Sequence, residues 1–279
     1  MQAPGDESAG KSPAEAVIDH DGIRLEKRGM IAMLTLNRPQ VRNAMDGAMR
    51  KAMLAALDEV RQDDRIRALV LTGAGTGFCA GGDISVMRQR MQTPPGRIGF
   101  EGWQGQAATY QVIETLYGLP KPAIAAVNGP AAGVGCDLAL CCDFILACSS
   151  ASFSMSFILR GLVPDAGAYF LPRRVGIARA KEMVYSGRRV AADEALRIGL
   201  VDRLTASGEL LCEAQKWAIE LAEQSPAAMA LTKELLNQSL ECDAYQSFAR
   251  ARQAQALCLT TGEHRAAVTA FLDKSLHKP

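Results

Sequence analysis

Two segments of this chain place small residues where the backbone itself could do chemistry. One is Phe78-Cys79-Ala80-Gly81-Gly82-Asp83-Ile84, and the other is Gly129-Pro130-Ala131-Ala132-Gly133-Val134-Gly135-Cys136-Asp137. Each leaves an apolar run of strand character and enters a helical pattern. Turns of small residues at helix starts expose N–H groups that have no intrahelical acceptor, and the helix dipole adds positive potential there. Two such turns facing each other would hold an anionic oxygen. Removing one donor from a hole of that kind costs on the order of 10²–10³ in rate. Taken one at a time, such turns are better explained as packing devices.

Several other chemistries are disfavoured by what the chain lacks. Its three histidines, His20, His264 and His277, stand near the two ends, so a Ser-His-Asp or Cys-His mechanism has no obvious base and His-ligated zinc is not expected. The cysteines at 79, 136, 141, 142, 148, 212, 242 and 258 form no CxxC pair and no cluster at ligand spacing. They read as small buried hydrophobes of a protein in a reducing compartment, the cytoplasm. Gly73-Ala74-Gly75-Thr76-Gly77 follows the strand-like run Arg67–Thr72. A dinucleotide fingerprint would need glycine where Phe78 stands, and no Lys-Ser/Thr pair follows, so 73–77 reads as a flexible loop. With 31 Lys+Arg against 30 Asp+Glu, nothing draws the chain to nucleic acid or to a membrane surface. The most apolar stretch, 131–148, contains Asp137 and Asp143 and is expected to be buried rather than membrane-spanning.

The elements that must position these turns can be read from periodicity. Residues 23–27 and 30–36 alternate around Arg28-Gly29 as a hairpin. Asp46 can cap a helix carrying Met49, Met53, Leu54, Leu57 and Val60. Residues 92–98 contain Pro94-Pro95-Gly96 and are expected to form a mobile surface loop, followed by a helix with Trp103, Tyr110, Ile113, Leu116 and Tyr117. Ala123–Val127 and Phe144–Cys148 are buried strands, with a helix over 133–141 between them. Beyond Ala178 the pattern is helical at 178–186, 191–199, 208–223, 226–240, 243–260 and 263–275. An α/β core followed by helices is therefore predicted: a polar, disordered tail over 1–18, a core over 19–206 and a helical region over 207–279.

The order of short motifs adds a resemblance. Leu36-Asn37-Arg38-Pro39, Asn43-Ala44, Gly77–Asp83, Lys121-Pro122, Asn128-Gly129, Gly133-Val134-Gly135, Gly161–Gly167, Leu171-Pro172-Arg173 and Ala270–Lys274 follow one another as in the enoyl-CoA hydratase/isomerase (crotonase) family. The match covers about residues 20–275. The resemblance implies a spiral of ββα units whose C-terminal helices pack against neighbouring subunits in a homotrimer or hexamer. It also implies a coenzyme A thioester whose carbonyl oxygen is held by two backbone amides, here falling on Ala80 and Val134, with no cofactor beyond the CoA moiety of the substrate. The CoA arm would pass Val41, Arg42, Ala44, Gly82, Asp83 and Ile84, with Arg42 near a phosphate and Lys274 near the adenine.

Two glutamates serve the hydratases of this family, and their positions here read Asp137 and Phe157. A phenylalanine transfers no proton. Asp165, after Pro164, stands where dienoyl-CoA isomerases and ring-epoxide (1,2-epoxyphenylacetyl-CoA) isomerases carry an aspartate, and Phe153, Met155 and Phe157 resemble the latter. From sequence alone a helix cap before Ala166 is the more common fate of an Asp after Pro, and it is the resemblance that puts the catalytic reading ahead. The expectation is an isomerase with Asp165 as proton shuttle. A hydratase working through Asp137, or a member that binds acyl-CoA without turnover, are the alternatives. Dehalogenation would need a histidine and a tryptophan that the chain lacks between 20 and 264 and at 157, and Glu101 reads as a solvated helix start.

Overall fold

The computed structural model describes residues 16–276. Three antiparallel strands open the chain: β1 (Ala16–His20), β2 (Ile23–Arg28) and β3 (Ile31–Leu36). Gly29, in the turn of the expected hairpin, has φ 57°, where a side chain would be strained. Because β1 starts at Ala16, residues 16–18 belong to the sheet rather than to a tail. The rest of that expected tail, residues 1–15, lies outside the described residues.

The helix α1 (Gly47–Gln62) starts where Asp46 accepts a hydrogen bond from the Met49 amide at 2.9 Å, and it buries Met49, Met53, Ala56, Leu57 and Val60 on one face. Then follow β4 (Ala68–Gly73), α2 (Ile84–Arg90), α3 (Pro95–Tyr117), β5 (Ala123–Val127), β6 (Pro130–Ala132), α4 (Val134–Leu140), β7 (Phe144–Cys148) and β8 (Ser152–Ser154). Next come α5 (Gly167–Val175), α6 (Ile177–Ser186), β9 (Val190–Ala191), α7 (Ala192–Arg197) and β10 (Arg203–Thr205). The last four helices are α8 (Leu210–Ala222), α9 (Pro226–Gln238), α10 (Ala244–Leu259) and α11 (Gly262–Leu276).

The larger sheet runs β1-β2-β3-β4-β5-β7-β10, parallel from β3 onward. Every residue of β4 and β5 is buried, which is why these strands are unbroken apolar runs rather than alternating ones. A smaller sheet, β6-β8-β9, is tied to the 78–84 turn by an isolated bridge between Cys79 and Ala131. Leu210, Ala214, Trp217, Ala218 and Ala222 of α8 belong to the same core as the sheet, and the buried Lys233 ties α9 to Asp143 at 2.8 Å. Among the described residues, no helix is long and apolar enough to cross a membrane.

Two expectations are corrected. The proline pair does not keep 92–98 out of a helix: Pro94 is the N-cap of α3 and Pro95 its first residue. Proline is suited to that position, because its missing N–H is one the helix would leave unpaired anyway. The 73–77 segment is not a flexible loop but is folded tightly on itself, since a Cβ at Gly73 would come within 2.3 Å of the Gly77 carbonyl oxygen.

Candidate active site

The Asn-Arg-Pro…Asn-Ala motif works as a clamp. Asn43 is fully buried with φ 57°. Its side-chain amide donates to the carbonyls of Ala74 (2.9 Å), Gly77 (2.8 Å) and Phe78 (3.1 Å), and its carbonyl accepts from the Arg38 amide at 2.8 Å. Arg38 in turn donates to the Ala44 carbonyl and pairs with Asp46 and Asp83, both at 3.0 Å. Asp83 also caps α2 through Ser85. The hydrogen bonds from Ser85, with the Arg38 charge beside them, hold the Asp83 carboxyl below its ordinary range.

This clamp brings the two small-residue turns together. The Cys79 amide donates to the Pro130 carbonyl and the Ala132 amide to the Cys79 carbonyl. A Cβ on Gly81, whose φ is +99°, would stand 2.9 Å from the Ala132 oxygen and 4.0 Å from the Val134 nitrogen, so only glycine lets the turns approach this closely. The expected donor Ala80 is corrected at this point. Its amide already donates to the Arg42 carbonyl at 2.9 Å and is not free for a ligand. Two residues on, the Gly82 amide has no acceptor among the described residues, and neither does the Val134 amide at the start of α4. Gly82 and Val134 therefore carry the two amides that stand free where the turns meet.

Both turns line a cavity of about 360 Å³, together with Val41, Arg42, Ala44, Ala80, Asp83, Ile84 and Asp165. Of the residues expected at the site, Asp137 lies behind the cavity wall and Lys274 lies in α11, its side chain outside the described residues. Asp165 does not cap α5, whose N-cap is Ala166 without a side-chain cap. The residue is 7% exposed, and its carboxyl accepts a hydrogen bond from the Gln106 side chain at 3.0 Å. Burial raises its pKa, against the lowering effect of Gln106.

Asp137 is 0% exposed, with no hydrogen-bond partner for either oxygen. Burial first, and then the charge of Asp165, push it far above the usual carboxylate range. It is pressed against Gly167, where a Cβ would meet its Oδ1 at 2.7 Å, and the Gly167 amide acts in the lowering direction. Phe157 packs against Gly133, its ring 3.6 Å from where a Cβ there would stand, and makes that part of the cavity lining apolar. Burial raises the Cys79 thiol to about 11 and the Cys136 thiol higher still, so both are inert packing groups. Glu101 accepts from Thr93 and pairs with Arg97 without lining the cavity. No group of three or more His, Cys, Asp or Glu among the described residues is placed to hold a metal ion.

Four contributors carry no local signal in the sequence. Gln106 sits on α3 and meets Asp165 only through the fold. Arg50, Arg90 and Arg160 come from three separate elements and converge with Arg42 on one cavity, a basic patch that an even net charge conceals.

Residues 26–278 match the family described as enoyl-CoA hydratase/isomerase. The chain belongs to the enoyl-CoA hydratase/isomerase family. It is 37% identical over 257 residues to the short-chain-enoyl-CoA hydratase of Clostridium acetobutylicum, covering 91% of this chain and 95% of that protein. It is also 36% identical over 245 residues to the 1,2-epoxyphenylacetyl-CoA isomerase of Escherichia coli, covering 88% and 92%. The crystal structure of an enoyl-CoA hydratase/isomerase from Cupriavidus metallidurans superposes with a TM-score of 0.86 at 37% identity, covering 92% of this chain and 95% of that one. The fold expected from the motifs, the crotonase fold, is the fold observed. The strongest matches are named hydratases and one further relative an isomerase, so the comparisons do not favour the expected isomerase branch.

Proposed function

We propose that the cavity binds an acyl-CoA thioester and that the protein shifts a double bond along the acyl chain. The observation that carries this reading is the Asp165 carboxyl opening on the same cavity as two unpartnered amides. In the proposed reaction the thioester oxygen accepts hydrogen bonds from Gly82 and Val134. Asp165 removes a proton from one carbon of the acyl chain, the electron pair moves into the thioester as an enolate, and the same proton returns to another carbon. Charge builds on the oxygen where the donors already point, so no reorganisation is needed. The apolar Phe157 keeps water from competing for the carbanion. Arg42 and Arg160, at the cavity, suit the phosphates of the CoA arm that passes Val41, Ala44, Asp83 and Ile84. No cofactor beyond CoA is needed, and the buried free cysteines fit a reducing, cytoplasmic setting.

A hydratase is the second reading, favoured by the hydratases of Clostridium acetobutylicum and Syntrophomonas wolfei, the latter a crotonyl-CoA hydratase 35% identical to this chain. It would rely on Asp137, which is walled off from the cavity, and it lacks a second carboxylate where Phe157 stands. The two readings separate by mass. A panel of 2- and 3-enoyl-CoA thioesters should give mass-neutral products, resolved by NMR, and no product heavier by water. Asp165→Asn should lower turnover by about 10²–10⁴-fold with thioester binding retained. Hydration of crotonyl-CoA, or full activity of Asp165→Asn, would overturn the proposal. The C-terminal helices are proposed to assemble a homotrimer or hexamer, consistent with the large apolar residues they leave exposed.

A further inference from the structure

Arg50 on α1 and Arg90 on α2 line the cavity, and neither has a carboxylate within ion-pair distance among the described residues. Elsewhere the arginines that approach the core are matched: Arg38 by Asp46 and Asp83, Arg174 by Asp202, Arg188 by Glu182 and Glu194. The Arg50 Nε is buried without a hydrogen-bond partner, and the two guanidinium groups are close enough to repel, which with burial lowers the pKa of Arg50. Two unpaired like charges facing one cavity are costly unless an anion sits between them.

Their position says which part of a ligand they would meet. The Arg90 guanidinium reaches α3 end-on at Gly105, where a Cβ would stand 2.3 Å from its Nη2 and 3.5 Å from its Cζ. The next residue, Gln106, holds Asp165. Arg90 is therefore on the side of the cavity where the acyl chain must meet the proton shuttle.

We propose that Arg50 and Arg90 form a carboxylate subsite at the acyl end of the cavity, and that the substrate is the mono-CoA thioester of a dicarboxylic acid. This rests on the reading of the cavity as an acyl-CoA site. Planar guanidinium groups bind a carboxylate bidentately, and a carboxylate held by two of them relieves both the buried Nε and the repulsion. The glycine at 105 is the device that admits the Arg90 head group.

The test compares 3-hexenoyl-CoA with the mono-CoA thioester of 3-hexenedioic acid, alongside calorimetric binding of free CoA. Wild-type protein should show a higher kcat/KM for the carboxylate-bearing thioester. Arg90→Gln and Arg50→Gln should each reduce the ratio of the two kcat/KM values by about 10- to 100-fold, the effect of losing a hydrogen bond to a charged group. Gly105→Ala provides an independent arm: alanine favours the helix, so the protein should melt no lower, while the displaced Arg90 lowers the same ratio. Equal turnover of the two thioesters by wild type overturns the subsite and leaves the acyl-CoA reading standing. A loss of free-CoA affinity in Arg90→Gln and Arg50→Gln, with the ratio unchanged, also overturns it and assigns the pair to the phosphates. If neither thioester nor CoA binds, the acyl-CoA reading itself falls, and the subsite with it.

Discussion

A carboxyl group serves as a base only in its ionised form, so the setting of Asp165 predicts a pH profile. Burial raises its pKa and the hydrogen bond from Gln106 counteracts part of that rise. Activity should therefore fall, as pH falls, along an acid limb lying above the ordinary aspartate value of about 3.9. Gln106→Leu removes the lowering contact, so the folded pKa rises and the limb should move to higher pH, while Asp165 remains in place. A kcat profile across that limb in both proteins is the measurement, and a limb that moves down or not at all contradicts the assigned role. At this scale the sequence showed Asp165 as either cap or base, and the fold removes the cap: α5 starts one residue too late for the aspartate to cap it. Ala80 was misassigned as a donor for a related reason. Which amide of a four-residue turn is free depends on what the neighbouring chain accepts, and Arg42 had already taken that one.

Among the elements, the clamp at Arg38–Asn43 carries the most. Asn43→Ala would leave the carbonyls of Gly77 and Phe78 buried without a donor and release Arg38 from its backbone anchor. Each buried orphan costs about 1–3 kcal/mol, so a loss of about 2–4 kcal/mol is expected. Urea unfolding would show it as a lower midpoint at unchanged slope. Because the same bonds hold the 78–84 turn against Val134, thioester affinity should fall as well, even though Asn43 does not line the cavity. The helices and buried strands were legible because their burial repeats along the chain: Met49, Met53, Leu57 and Val60 on α1, and five apolar residues running in β5. The short strands β8, β9 and β10 were not, since two or three residues hold too little pattern and exist only by pairing with distant partners. The proline pair before α3 misled for the opposite reason, a strong local signal whose meaning depends on whether it falls inside a helix or at its first turn.

Across the whole molecule, apolar surface is unevenly placed. Leu236 on α9, Leu240 after it, Tyr245, Phe248, Leu257 and Leu259 on α10, and Phe271 on α11 are all exposed, Tyr245 at 87%. Exposed apolar area of that kind on an isolated chain is ordinarily covered, and at about 25 cal/mol per Å² its burial is a substantial driving force for association. Sedimentation of the purified protein should thus give the mass of three or six chains. Placing glutamates at Phe248 and Leu257 should shift it toward the single chain, because a charge buried without a partner costs more than the apolar contact it replaces. The core elements β3, β4, β5 and α8 make no use of these residues, so the separated chain should keep its helical and sheet signal. A protein that sediments as one chain before any substitution would refute the assembly. Wild-type trimers whose variant dissociates yet retains full thioester affinity would place the cavity within one chain, as its lining residues, all between Gln40 and Asp165, lead one to expect.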